Sequence, residues 1–219
     1  LMNVMLFVSN DKKLVYCRIL KSASTSMLKE FLPSIDSKLK EHSLSDEQID
    51  ALAFRYVKNK LSDEEEQYPK LALVRNPFHR IVSVYLDLFD TSSSHFSYEN
   101  YWFGVLKRNM TFGEFVNTIA QIPDFFKGPH FAPQHFILSY ITNLNSISWF
   151  RIDKDQKLLT SFLRNYNIDL LYQNRQVKNY DYKSFYTKDL LDKTYKMYEH
   201  DVKYFGYEDE YHELFNSLV

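Results

Sequence analysis

Two short segments of this sequence carry side chains that can bind anionic groups. The first is a hydroxyl-rich run, whose members are Lys21, Ser22, Ala23, Ser24, Thr25 and Ser26. Such a run between a strand and a helix directs hydroxyl and backbone N–H donors, with the positive end of the helix dipole, at a bound anion. Serine and threonine are also favoured as ordinary helix N-caps, so a plain cap with a solvent-facing lysine is the alternative interpretation.

The second segment begins at Arg75, and Ser83 follows it two turns into a predicted helix. A guanidinium fork can bind a phosphate-like group through two parallel hydrogen bonds, and a serine adds a neutral donor. Open α/β folds bind ligands at the carboxyl ends of their parallel strands. An arginine paired with a carboxylate is the alternative. Two anion sites on adjacent strand–helix units indicate one ligand with two phosphate-like ends.

The elements that must position these side chains repeat one pattern. Residues 13–20, KLVYCRIL, alternate and are rich in β-branched and aromatic side chains, which predicts a strand. The helix after the first loop is predicted to stop at Pro33. Residues 71–75, LALVR, predict a second strand, after which Asn76 can cap a helix that starts at Pro77.

Two strand–loop–helix units joined by a helical crossover imply parallel strands. We therefore predict an α/β fold: a single domain over residues 1–219, with a central, mainly parallel sheet flanked by helices and a P-loop-like first loop. Apolar spacing and caps predict further elements, namely helices over 45–57, 111–122 and 187–205, a strand over 148–152, an irregular connection over 123–133, a polar loop over 91–100 and a solvated acidic run over 63–66.

Composition excludes several classes of protein. The 27 basic and 28 acidic side chains give a formal net charge of −1, which argues against nucleic-acid binding and against an anionic-membrane protein. Four scattered glycines form neither GxGxxG nor GxxxxGK[ST]. One cysteine makes neither a disulfide nor a cysteine-based zinc site. The chain has no apolar run long enough to span a membrane, and residues 4–8 are too short for a signal peptide, so we expect a cytoplasmic protein.

The two anion-binding segments resemble known motifs. Residues 21–26, KSASTS, and residues 75–83, RNPFHRIVS, are similar to the two nucleotide-binding motifs of PAPS-dependent sulfotransferases. The likeness is to the carbohydrate sulfotransferase families, which include the heparan 2-O-sulfotransferases and bacterial family 2 sulfotransferases. Residues 130–134 resemble the HxxPQ segment of that group, and Asp201 with residues 205–207, FGY, resembles its closing motif. The motifs occur in the family's order along nearly the whole chain.

The resemblance implies that the sulfuryl donor is 3′-phosphoadenosine 5′-phosphosulfate (PAPS), that PAP is the product and that no metal is required. The 5′-phosphosulfate would lie on residues 21–26, where Lys21 would stabilise the leaving 5′-phosphate. The 3′-phosphate would be held by Arg75 and Ser83, with a further basic contact from Lys178, backed by Arg175. The partner would be an acceptor hydroxyl of a saccharide or small molecule.

The catalytic base is left open by the sequence, because a base needs a pKa near the working pH and seven histidines are available. His130, in the HxxPQ segment, is one candidate. Some relatives take the base from between the two binding motifs, where this chain offers His42, Glu41 and Glu47. His79 is predicted to be a half-buried residue of the second helix. Two other functions stay open: a catalytically weak PAP- or PAPS-binding module, and a kinase with a degenerate P-loop.

Overall fold

The computed structural model describes residues 4–41, 44–89, 104–169 and 180–218. Its strands and helices follow one another as β1 (Leu6–Ser9), β2 (Leu14–Cys17), α1 (Ser24–Ile35), α2 (Asp46–Tyr56), β3 (Lys70–Val74), α3 (Pro77–Phe89), α4 (Phe112–Ala120), α5 (Gln134–Ser139), β4 (Ile147–Arg151), α6 (Gln156–Arg164), α7 (Lys188–Phe205) and α8 (Glu208–Ser217). The described residues form two compact units. We call those within 4–74 and 138–169 the sheet unit, and those within 75–137 and 180–218 the helical unit.

The sheet unit contains a four-stranded sheet in the order β1-β2-β3-β4. Strands β2 and β3 are parallel, with Val15 opposite Lys70, and β3 and β4 are parallel, with Lys70 opposite Ile147. Strand β1 is antiparallel to β2. The predicted α/β fold with a mainly parallel sheet is confirmed. The sequence did not predict β1, because four residues, three of them apolar, carry little signal until a partner strand is known.

Three helices share one hydrophobic core with the sheet. Strands β2 and β3 are buried along both faces, as expected for central strands. The fully buried members of this core include Phe7, Leu14, Tyr16, Leu71 and Leu73 from the strands, Met27, Leu28, Phe31 and Leu32 from α1, Ile49 from α2, and Leu159 and Leu163 from α6. Each large apolar side chain stabilises the fold by about 1.5–3 kcal/mol when it is buried. This core fixes the direction in which α1 leaves the sheet.

The prediction that the first helix stops at Pro33 is wrong. Helix α1 continues to Ile35, and its last turn closes through a hydrogen bond from the N–H of Asp36 to the carbonyl oxygen of Leu32. Proline removes one N–H and so one bond of the ladder. The bonds around it, together with the packing of Phe31 and Leu32 in the core, hold the last turn in helical form.

The prediction that residues 63–66 form a solvated acidic run is wrong at one position. Glu65 is buried, pairs with Lys58 and accepts a hydrogen bond of 2.9 Å from the N–H of Ser62. The hydrogen bond from Lys58 holds the pKa of Glu65 below its usual value. Lys58 also exchanges two backbone hydrogen bonds with Leu6 of β1. Glu65 therefore anchors the segment after α2 to the edge of the sheet.

The helical unit confirms the predicted caps. The side-chain oxygen of Asn76 accepts from the N–H groups of Phe78 and His79, at 2.9 and 3.2 Å, and starts α3 at Pro77. Thr111 caps α4, and Thr187 caps α7. Helix α7 ends at Gly206, whose φ of 69° is the left-handed conformation that glycine adopts without strain.

Two sequence predictions receive no structural description. The polar loop over residues 91–100 lies outside the described residues, and the single-domain organisation over 1–219 stays a prediction. Within the described ranges, no helix combines the length and the apolar character that crossing a membrane requires.

Candidate active site

The loop between β2 and α1 has a backbone that L-amino acids rarely adopt. Lys21 and Ala23 have φ angles of 65° and 54°, both in the left-handed region, and Ser22 separates them. This conformation costs about 1–2 kcal/mol for each residue other than glycine. Left-handed residues that alternate with ordinary ones turn successive N–H groups toward a shared concavity, which binds anions. The loop thus reaches, without glycine, the kind of backbone for which P-loops use glycine.

The first turn of α1 lacks the serine or threonine cap that the sequence offered as an alternative interpretation of this loop. The N-cap residue is Ala23, which has no polar side-chain atom, and none of the described side chains caps this turn or places an acid in it. The alternative of an ordinary Ser/Thr cap is therefore wrong. Ser22 and Ser24 are buried, whereas Lys21, Thr25 and Ser26 are half-buried. The N-terminal end of this twelve-residue helix carries the positive end of the helix dipole and is a candidate anion site.

Arg75, the first residue after β3, has its main chain held by one side chain. The N–H of Arg75 donates to Oε1 of Gln134 at 2.9 Å, and Nε2 of Gln134 donates to the carbonyl oxygen of Arg75 at 2.8 Å. Gln134 is fully buried, so both bonds are shielded from water. The side-chain amide and the peptide of Arg75 thus form a closed pair of hydrogen bonds.

The guanidinium of Arg75 lies against His79 one helical turn later. Its Nη2 is 2.8 Å from Nε2 of His79, and the His79 ring stacks on Tyr182 with centroids 4.7 Å apart. Burial, and then the charge of Arg75, lower the pKa of His79 to about 3. The ring is therefore neutral at physiological pH and can accept a hydrogen bond from the guanidinium. Ser83 is half-buried further along α3.

A buried carboxylate holds Gln134 in turn. Asp201 of α7, with no exposed surface, accepts hydrogen bonds from the N–H of Gln134 at 2.7 Å and from the N–H of His135 at 2.8 Å. It also contacts Nδ1 of His135 at 2.7 Å. The HxxPQ segment and the closing motif, which the sequence assigned only by resemblance, thus meet at this carboxylate.

Arg80 fixes the irregular segment before α5. It is almost fully buried and donates to the carbonyl oxygens of Ala132 and Pro129 at 2.9 and 3.1 Å. The hydroxyl of Tyr198 donates to the carbonyl oxygen of Phe131 at 2.6 Å. His130 is half-buried between these anchored carbonyls. The second arginine of residues 75–83, RNPFHRIVS, which we call the RNPxxRxxS segment, therefore supports the fold.

The predicted site residues fall into three groups. Lys21, Ser22, Ala23, Ser24, Thr25 and Ser26 lie in the sheet unit, and Arg75, Ser83 and His130 lie in the helical unit. His42, Arg175 and Lys178 lie outside the described residues. No three His, Cys, Asp or Glu side chains of the described ranges gather where they could hold a metal ion.

Sequence reasoning assigned no role to Gln134, to Asp201 or to the contact between His79 and Arg75. The four-residue spacing of Arg75 and His79 was a local signal for that contact. Gln134 and Asp201 carried only the signal of the resemblance, since their partners lie 59 and 67 residues away along the chain.

Comparison with known proteins places the chain in one family. A model of the Sulfotransferase family matches residues 4–208, nearly the whole sequence. No curated protein and no solved structure gives a significant match. The match includes the loop before α1, Arg75 and the segments that meet at Asp201. The chain belongs to the sulfotransferase family, whose members transfer sulfuryl groups.

Proposed function

We propose that this chain transfers a sulfuryl group from PAPS to an acceptor hydroxyl of a saccharide or small molecule. The observation that carries the proposal is the left-handed backbone at Lys21 and Ala23, directly before the first turn of α1, which none of the described side chains caps. That arrangement suits the 5′-phosphosulfate end of the donor, because backbone and hydroxyl donors converge there with the helix dipole.

The 3′-phosphate end of PAPS is assigned to Arg75 and Ser83. Arg75 follows β3, and the loop of residues 18–23 follows β2, and these two strands are parallel neighbours in the sheet. The chain therefore leaves both strands at the same edge of the sheet, the edge at which open α/β folds bind their ligands. Lys178, backed by Arg175, remains the proposed further basic contact.

Each chain group has a defined task in the proposed transfer. The acceptor oxygen forms a bond to sulfur while the bond from sulfur to the 5′-phosphate oxygen breaks, and that electron pair stays on PAP. Lys21 donates a hydrogen bond to the departing oxygen as its negative charge develops. The acceptor proton passes to a base, for which His130 is the proposed residue and His42 the alternative. Positioning and charge stabilisation thus account for the catalysis.

The test is to incubate the protein with PAPS and a panel of glycans and small alcohols, and to measure PAP release. Thermal shift with PAP alone tests binding independently of the acceptor. We expect PAP to stabilise the protein and at least one hydroxyl acceptor to release PAP. No stabilisation by PAP and no release with any acceptor would contradict the proposal.

Two controls separate the other functions. Turnover that persists with EDTA distinguishes sulfuryl transfer from a kinase, because phosphoryl transfer from ATP needs a metal ion. PAP binding without turnover would identify a binding module. The role of Lys21 is tested with a Lys21→Ala variant. The exposed Lys157→Ala variant is its matched control, since both remove one lysine from the sheet unit.

A further inference from the structure

We infer that Gln134, held by Asp201, is a positioning residue that fixes Arg75 for the donor's 3′-phosphate and so gives the site its preference for 3′-phosphorylated nucleotides. This inference rests on the proposed function. It concerns two residues that the proposed reaction does not use directly. Its contacts lie within the helical unit, apart from one hydrogen bond inside the sheet unit that marks the end of β3.

The first step concerns the main chain at the end of β3. The carbonyl of Val74 still takes part in the sheet, where it accepts a hydrogen bond of 3.0 Å from the N–H of Ile152. At Arg75, the next residue, Gln134 bonds both the N–H and the carbonyl. The side-chain amide of Gln134 thus makes both main-chain hydrogen bonds of Arg75 that a neighbouring strand could otherwise make. It fixes the rotation of the Arg75 peptide between the strand and α3.

The second step concerns the rigidity of Gln134 itself. Asp201 accepts its main-chain N–H at 2.7 Å, and Nε2 lies 3.5 Å from the same carboxylate oxygen. Because Gln134 and Asp201 are both completely buried, water cannot replace these bonds. The side chain therefore presents its amide to Arg75 in one orientation.

The third step concerns what a fixed peptide does for phosphate recognition. A guanidinium binds phosphate strongly only when its fork is aligned with two phosphate oxygens. Arg75 is held at its peptide by Gln134 and at its guanidinium by His79, at 2.8 Å. An arginine held at both ends keeps its alignment without a further entropic cost on binding. Release of the peptide end should therefore weaken binding of the 3′-phosphate selectively.

The experiment measures Kd for PAP and for adenosine 5′-phosphate by calorimetry, below the unfolding temperature of every variant. The two nucleotides differ only in the 3′-phosphate, so the ratio of their Kd values reports on Arg75. Gln134→Met removes both bonds to Arg75 at similar side-chain length. Gln134→Glu keeps an acceptor for the Arg75 N–H but loses the donor and adds a charge beside Asp201. Tyr198→Phe is the matched control, because it loosens the segment before α5 without touching Arg75.

We expect wild type to prefer PAP and Arg75→Ala to lose that preference. Gln134→Met and Gln134→Glu should each reduce the preference by about tenfold, the effect of one weakened charge-assisted hydrogen bond, with little change for adenosine 5′-phosphate. Tyr198→Phe should lower Tm but keep the wild-type ratio. In the Arg75→Ala background, Gln134→Met should change the ratio no further.

The outcomes distinguish the inference from the proposed function. A wild type that binds both nucleotides equally contradicts the 3′-phosphate site itself, and with it the inference. A wild-type preference that depends on Arg75 but survives both Gln134 substitutions leaves the proposed function standing and overturns the inference. A parallel loss of both affinities in the Gln134 variants also overturns it, since that pattern indicates a purely structural role.

Discussion

Nη2 of Arg75 lies 2.8 Å from Nε2 of His79, so a cationic side chain and an imidazole share one edge of the candidate site. The ring also stacks on Tyr182 and meets the edge of Tyr180. Burial is the larger cause of the low pKa of His79, about 3, and the charge of Arg75 is the second. The contact requires a neutral ring, because a protonated one would place two cations together.

The first prediction is a loss of stability in acid that depends on His79. The pKa of the His79 imidazole is about 6.5 in the unfolded chain and about 3 in the folded protein. As the pH falls between these values, the unfolded state binds a proton that the folded state does not bind. The folded state therefore loses about 1–2 kcal/mol of stability through His79 between pH 7 and pH 4.5, since the ring is partly exposed. The His79→Phe variant keeps an aromatic ring at this position but has no titrating group there. Over the same pH range it should therefore lose less stability than the wild type.

Urea unfolding of both proteins at pH 7.0, 5.5 and 4.5 measures this difference. Carboxylates such as Asp155, whose pKa is lowered by Arg151, contribute equally to both proteins and cancel in the comparison. The His212→Gln variant, which changes an exposed histidine of α8, controls for the loss of any histidine. Equal pH slopes for wild type and His79→Phe would show that the pKa of His79 is the same in the folded and the unfolded protein, and would contradict the prediction.

The second prediction concerns the left-handed backbone at Ala23. Glycine there would relieve about 1 kcal/mol of strain but would add conformational freedom to the unfolded chain, at a similar cost. We expect Ala23→Gly to change the free energy of unfolding by less than about 0.5 kcal/mol. The same substitution at exposed Ala51, inside α2, should cost about 1 kcal/mol.

Denaturant unfolding of the two glycine variants provides the measurement. A third variant, Ala23→Val, sharpens it, because a β-branched residue adopts a positive φ only at high cost. We expect Ala23→Val to be the least stable of the three and to lose PAP binding. Equal costs for Ala23→Gly and Ala51→Gly would argue that Ala23 has an ordinary helical backbone.

The third prediction separates the two arginines of the RNPxxRxxS segment. Arg80 spans the carbonyl oxygens of Pro129 and Ala132, and only a guanidinium reaches both. Arg80→Lys and Arg80→Met should both lower stability by about 3 kcal/mol, because they leave buried carbonyls without donors. At a temperature low enough for part of it to stay folded, Arg80→Lys should still prefer PAP over adenosine 5′-phosphate. Arg75→Lys should instead keep the wild-type stability and lose that preference. Thermal unfolding and calorimetry give the two readouts.

Local patterns explain why so much of the fold could be predicted. The alternation in residues 13–20 and the Asn76–Pro77 start of α3 are signals carried within a few residues, and the crossover rule then makes the two strands parallel. Strand β1 was missed because it has four residues, of which three are apolar, and so short a segment carries little signal. It becomes a strand through its pairing with β2.

The sequence indicated which residues form the candidate site, but it did not indicate their backbone conformation or their contacts. Lys21 and Ala23 are neither glycine nor asparagine, so nothing in their identity indicates a positive φ. The role of Gln134 depends on Arg75 and Asp201, partners 59 and 67 residues away. Only the folded chain brings such distant groups together, and no periodicity or cap anticipates the contact.

The last prediction concerns Lys21 and tests the proposed transfer step. If Lys21 donates to the oxygen that leaves sulfur, its interaction is strongest in the transition state, where that oxygen gains charge. Lys21→Ala should then lower kcat by about 10²–10³-fold, with a smaller loss of PAP affinity. Lys157→Ala, at an exposed position of α6, should resemble wild type in both. Rapid-quench measurement of PAP formation separates the chemical step from product release. A loss of PAP affinity with unchanged kcat would mean that Lys21 binds the nucleotide in the ground state and does not serve the leaving group.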